Sequence, residues 1–206
     1  MSRLAPALPV LALPVLALLA LALPLAAMAA PETYTLDPFH TYPNFSVDHL
    51  GFSTIHGRFD KSSGKFTIDR AAKNASLELA VETASINAAD NEKGSRQRSR
   101  DDHLRSPDFF NVSEYPRMTF KSTGVKFNGD NPATVEGNLT LLGVTRPLVL
   151  QVDRWRCGPH PFNKKEMCGG NASGTLKRSD FGMKFGLPVA VSDEVKLMIG
   201  FEAYKE

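Results

Sequence analysis

The sequence predicts an all-β protein, an extended antiparallel barrel, and three observations carry that expectation. Apolar side chains recur at every second position over long stretches. Turn-forming residues separate those stretches. A single segment, polar and rich in helix formers, breaks the pattern. Alternation places one face of a strand on an apolar interior and the other in water. Many such strands in succession build a sandwich or a barrel. Long rows favour the barrel, whose closure also removes exposed edges.

The first segment is not part of that domain. Residues 1–29 read as a cleaved signal peptide: Arg3 supplies a positive start, an uncharged run extends from Leu4 to Ala27, and Ala27-Met28-Ala29 has the form of a cleavage site. Pro6, Pro9, Pro14 and Pro24 interrupt the run and no basic cluster follows it, which argues against a retained anchor. Residues 30–206 are then one domain. Cleavage removes one base and no acid, so the formal net charge of +2 falls by one. A balance that close to neutral argues against a nucleic-acid binder.

Strands are expected at 33–39, 43–50, 52–60, 64–70, 74–86, 116–127, 133–142 and 146–157, with two more at 169–179 and 193–205. Leu77, Leu79 and Val81 form one apolar row; Val135, Gly137, Leu139 and Leu141 form another. Leu148, Leu150 and Val152 make a third, and Val195, Leu197, Ile199, Phe201 and Ala203 close the chain. Ser63-Gly64, the 128–132 stretch, Gly143 and Gly169-Gly170 supply turn signals between rows. The polar stretch 90–111 reads as a loop leading into one short helix near 97–105, which Pro107 ends. Phe109 and Phe110 follow and are expected to plug onto the barrel.

Cys157 and Cys168 have the spacing of neither a redox pair nor a zinc ribbon. Export permits a disulfide between them. Such a bond closes a loop of about a dozen residues and contributes roughly 3 kcal/mol when unstrained. No G-x-S-x-G elbow, H-E-x-x-H pair or zinc-like cluster occurs. The expectation is a protein that is no enzyme, with no metal and no cofactor beyond a bound lipid or quinone. A barrel of about eight strands either fills its interior with side chains or holds one slender ligand. Periodicity alone does not separate the two.

Specific strings do more. Asn44 to Phe59 (NFSVDHLGFSTIHGRF) resembles the opening motif of the YceI-like family of polyisoprenoid-binding proteins. Asp102 to Phe110 (DHLRSPDFF), followed by Tyr115-Pro116 and Phe120, resembles the second motif. Val135 to Pro147 (VEGNLTLLGVTRP) and Arg178 to Gly182 (RSDFG) are similar to the third and fourth. The resemblance spans residues 32–204. It implies a lipocalin-like barrel with a long apolar pore for a polyprenyl phosphate, an isoprenoid quinone or a related amphiphile, and a periplasmic location in bacteria. Two stretches depart from the pattern: 90–101, which carries Arg96, Arg98 and Arg100, and the loop between the cysteines.

On that reading the pore is lined by Phe45, Val47, Phe52, Leu77, Leu79, Val81, Met118, Phe120, Leu139, Leu141, Leu148, Leu150, Leu197, Ile199 and Phe201. His49, Arg105 and Arg178 are candidates for the head group, because guanidinium offers fork-shaped hydrogen bonding. For each Arg the bland alternative is a pairing that fixes a loop on the barrel. His103 is expected to cap the helix or bond a backbone carbonyl. Lys93 and the three arginines are expected in a solvated loop, their charge diluted by Asp90, Glu92, Asp101 and Asp102. The partners implied are a long-chain isoprenoid amphiphile and transient contact with the inner-membrane surface or a membrane quinone protein. The oligomeric state stays open, a homodimer included. The rival reading is a non-catalytic periplasmic stress-response module with a filled barrel.

Overall fold

The computed structural model describes residues 30–206; the segment 1–29, expected to be a signal peptide, lies outside the described residues. Eleven strands form one antiparallel sheet: β1 (Glu32–Leu36), β2 (Tyr42–His49), β3 (Ser53–Phe59), β4 (Ser62–Asp69), β5 (Asn74–Glu82), β6 (Ile86–Asn87), β7 (Arg117–Asn128), β8 (Asn131–Leu141), β9 (Val144–Pro159), β10 (Glu166–Lys177) and β11 (Val191–Lys205). Eight of them close a ring in the order β1-β4-β5-β7-β8-β9-β10-β11, and β11 returns to β1 through Tyr34↔Lys205 and Leu36↔Ala203. The remaining three extend the wall upward. β11 leaves β1 and pairs with β2 from Val191 to Gly200; β3 and β6 follow.

The expected strand 74–86 is in fact two. A 3-10 turn over Thr83–Ser85 divides it, because fully buried Thr83 is drawn sideways onto the start of β7. Its N–H donates to the Pro116 carbonyl at 3.0 Å and its hydroxyl to the Tyr115 carbonyl at 2.6 Å. The helix, α1, is shorter than expected at Arg100–Arg105. Ser99 caps it, its Oγ accepting from the Asp102 N–H at 3.1 Å, and Asp101 and Asp102 oppose the positive end of the helix dipole.

Irregularities in register reset which residues face inward. On β7 the register shifts between Ser122 and Gly124, so Phe120 points in before it and Val125 and Phe127 after it. On β9 the shift lies opposite Asn171/Ala172: Leu148, Leu150 and Val152 face the interior above it, Trp155 and Cys157 below it. An unbroken period of two would have sent Arg154 and Arg156 inside. Below the bulge Cys157 and Cys168 are register partners and form the expected disulfide.

Candidate functional site

The interior holds an apolar column divided by a waist. Leu79, Leu150 and Ile199 border both halves. Above the waist the space open to the centre of a water-sized sphere is about 140 Å³; below it, about 80 Å³. Inward-facing glycines help to make this space. The tip of the Phe120 ring reaches over Gly137 and that of Phe45 over Gly57, where a Cβ would stand 2.4 Å from each Cζ. The large rings thus hug the wall instead of crossing the bore.

The lower end is stoppered. Tyr34 and Phe66 stack at 4.9 Å, Trp155 meets Phe66 edge-on at 5.5 Å, and the disulfide sits among them. Arg70 lies 4.0 Å from Cys168 Sγ and pairs with Glu32 at 3.5 Å. The upper end is roofed by the helix and a loop. Leu104 of α1 and the following Phe109 and Phe110 cover one side; Met183, which opens the 183–190 loop, and Val191, which follows it, cover the other. The expectation that Phe109 and Phe110 plug onto the barrel matches their place in this roof.

Fourteen of the fifteen pore-lining candidates border the column. Phe45, Val47, Leu79, Val81, Met118, Phe120, Leu139, Leu141, Leu148, Leu150, Leu197 and Ile199 border the upper chamber; Leu77 and Phe201 border the lower. Phe52 is a correction: it is 93% exposed. It leaves the β2–β3 turn, its N–H bonded to the His49 carbonyl at 3.1 Å, on the parity opposite to Ile55, Gly57 and Phe59. Phe59, Phe66, Trp155, Leu176 and Met183 border the column but were not foreseen. Trp155 is hidden by the bulge, and Met183 lies outside any alternating row.

The head-group candidates take three different places. His49 is half-buried at the top of β2 and does not reach the lining. Arg105 straps α1 to the sheet, donating to the Ala84 carbonyl at 3.0 Å and the Ile86 carbonyl at 2.8 Å. Arg178 does border the upper chamber and is 3% exposed. Its guanidinium is committed to the backbone, with Nε donating to Ser192 O at 2.9 Å, Nη1 to Met183 O at 3.2 Å and Nη2 to Val191 O at 3.0 Å. Burial lowers its pKa from the usual value, with Asp193 opposing. None of the three turns a polar group into the column, whose surface is apolar. The column is therefore apolar along its length, and the polar side chains of His49 and Arg105 stand outside it.

The arginine-rich loop is internally neutralised. Arg96 grips Asp90 through two bonds of 2.6 Å, Arg100 reaches the same carboxylate at 3.1 Å, and Arg98 pairs with Asp108 at 2.8 Å. His103 does not cap the helix through its ring, which meets Asp108 at 2.9 Å. One group of potential metal ligands is present among the described residues: Asp37, His40 and Glu202, whose ligand atoms lie within 4.8 Å of one another. It sits on the outer wall where β11 passes from β2 to β1. The hydrogen bond that the His40 ring donates to the Asp37 carboxylate, at 2.7 Å, raises the His40 pKa. For Asp37 burial acts upward, but His40 and the Phe39 N–H outweigh it and the pKa is lowered. The group is separate from the column.

Fold and interior together define a lipocalin-like closed barrel around an apolar cavity. The chain belongs to the YceI-like family, whose model, a YceI-like domain, matches residues 34–203. It is 40% identical over 180 residues to a UPF0312 protein of Pseudomonas aeruginosa, covering 87% of this chain and 90% of that one. It is 37% identical over 181 residues to protein YceI of Salmonella arizonae, covering 88% and 90%. Among solved structures it is similar to BcnA of Burkholderia cenocepacia, with a TM-score of 0.64 and 22% identity over 81% of this chain and 98% of that one. The YceI protein of Campylobacter jejuni gives 0.59 and 29%, covering 77% and 90%. A polyisoprenoid binding domain from Saccharophagus degradans gives 0.56 and 18%, covering 84% and 98%.

Proposed function

We propose that this protein is an exported, periplasmic carrier that encloses the tail of a long-chain isoprenoid amphiphile, a polyprenyl phosphate or an isoprenoid quinone. The observation that carries this reading is the two-chambered apolar column, stoppered below and roofed above by α1 and the 183–190 loop. Burying a hydrocarbon tail there contributes about 0.8 kcal/mol per methylene. The polyisoprenoid binding domain of Saccharophagus degradans shares the fold, which agrees with the reading. The signal-peptide reading of 1–29 and the Cys157–Cys168 disulfide, a bond that persists in oxidising compartments, support the location. On this reading the protein binds and carries; chemistry on the lipid belongs to other proteins.

The test is extraction of the purified mature protein with organic solvent, followed by mass spectrometry. A stoichiometric prenyl lipid is the expected result and names the head group. An extract without lipid, from protein made in its native host and never exposed to detergent, overturns the reading in favour of an interaction module.

A further inference from the structure

We propose that the roofed end of the barrel is a docking surface for a phospholipid bilayer. The inference rests on the carrier reading above and names where the carrier meets its source. Four of the eight large apolar side chains exposed among the described residues share that end: Leu50, Phe52, Phe185 and Val189. Phe52 is 93% exposed and Val189 74%. Such side chains clustered on one end mark an interaction surface rather than ordinary scatter.

The two loops that carry them act as one unit. The Leu50 N–H donates to the Ala190 carbonyl at 3.2 Å, and the Asp48 N–H to Ser192 Oγ at 3.1 Å. The Asp48 carboxylate accepts from the Gly51 N–H at 2.7 Å and fixes the turn. Leu50 holds a left-handed conformation at φ 59°, one that a branched side chain rarely adopts. The turn thus presents Leu50 and Phe52 outward at the expense of backbone comfort, as functional surfaces often do.

A bilayer, rather than a protein, is the occupant because the apolar track continues inward. Phe185 packs on Phe109 at 5.4 Å, and Phe109 borders the upper chamber. Rim and cavity form one path for a tail leaving a membrane without crossing water. Lys184, exposed in the same loop and in no ion pair among the described residues, adds a cation suited to anionic head groups. Apolar side chains beside a basic residue are the composition of interfacial anchors.

The experiment is flotation of the purified protein with vesicles of phosphatidylethanolamine and phosphatidylglycerol. The wild type is expected to float. The double variant F52S/V189S should lose roughly tenfold or more of its vesicle-bound fraction, while F162S should float as the wild type does. Phe162 is 89% exposed but sits on the β9–β10 hairpin at the stoppered end. Introducing Trp by F52W adds a fluorophore that brominated lipid should quench, whereas Trp155 in the lower chamber stays unquenched. Equal loss in F162S and F52S/V189S, or no loss in either, overturns the proposal. So does a wild type that fails to float, a result that points to a protein partner. The two readings fail separately: F52S/V189S should still take up a short prenol offered in solution, and I199W, with its rim intact, should still float.

Discussion

Replacing Ile199 with Trp places a ring at the waist that joins the two chambers. Ile199 borders both, facing Leu79 and Leu150, so the added volume closes the passage instead of either chamber. A tail then stops above the waist. Excluding only four methylenes from the lower chamber costs about 3 kcal/mol at roughly 0.8 kcal/mol each, which is ~200-fold in affinity. The assay is binding of a prenol series of increasing length to delipidated protein. Wild-type affinity should rise with each added unit. The variant should match it for the shortest members and then reach a plateau. The melting temperature reports whether the ring also overpacks the wall, a penalty of about 1–3 kcal/mol if it does. Equal length dependence in the two proteins, with the variant folded, refutes a tail that threads the waist. Leu79→Trp attacks the same constriction from β5 and should give the same plateau.

Gly137→Ala should destabilise the fold by about 1–3 kcal/mol, read as a lower denaturation midpoint, because the new Cβ would meet Phe120 Cζ at 2.4 Å and the Lys121 carbonyl at 2.6 Å. The double variant C157A/C168A should lose roughly 3 kcal/mol in the same measurement, since it opens a cross-link between residues 11 apart in sequence. Asp101→Ala leaves the buried Ala88 N–H, now bonded to Asp101 Oδ1 at 2.8 Å, without an acceptor. It should cost about 1–3 kcal/mol, whereas Asp101→Asn keeps an acceptor and should cost less. Hydrogen bonding from Arg96 lowers the Asp90 pKa to about 2. A depressed carboxylate stabilises above its ordinary value and loses that contribution as pH falls. Chemical shifts of the 90–100 loop should therefore hold steady down to the ordinary carboxylate range and change on approach to pH 2. Arg96→Ala should move the transition up toward the ordinary range, with Arg100 still holding it lower.

Much of the barrel was legible because side-chain parity is a local property. Leu77, Leu79 and Val81 on β5, and Leu139 and Leu141 on β8, face inward as their alternation requires. The motif strings gave the family, and the family model matches nearly the same residues, 34–203. Other features depended on distant partners. Period-two reading fails where a strand carries an extra residue, and the bulges that bring Val125, Phe127, Trp155 and Cys157 inside are set by register with a neighbouring strand. Thr83 breaks its strand for carbonyls of Tyr115 and Pro116, more than thirty positions away.

The sequence by itself determined an all-β chain, its apolar rows, the disulfide and the family. These follow from local periodicity, from cysteine chemistry and from strings readable in one dimension. Only the tertiary structure decided which row members meet at the waist, that Phe52 stands in solvent and that Arg178 spends its donors on the backbone. It also decided that Leu50, Phe52, Phe185 and Val189 share the roofed end. A guanidinium's partners and a cavity's bore are set by where strands far apart in sequence converge, and no spacing within one strand encodes that convergence.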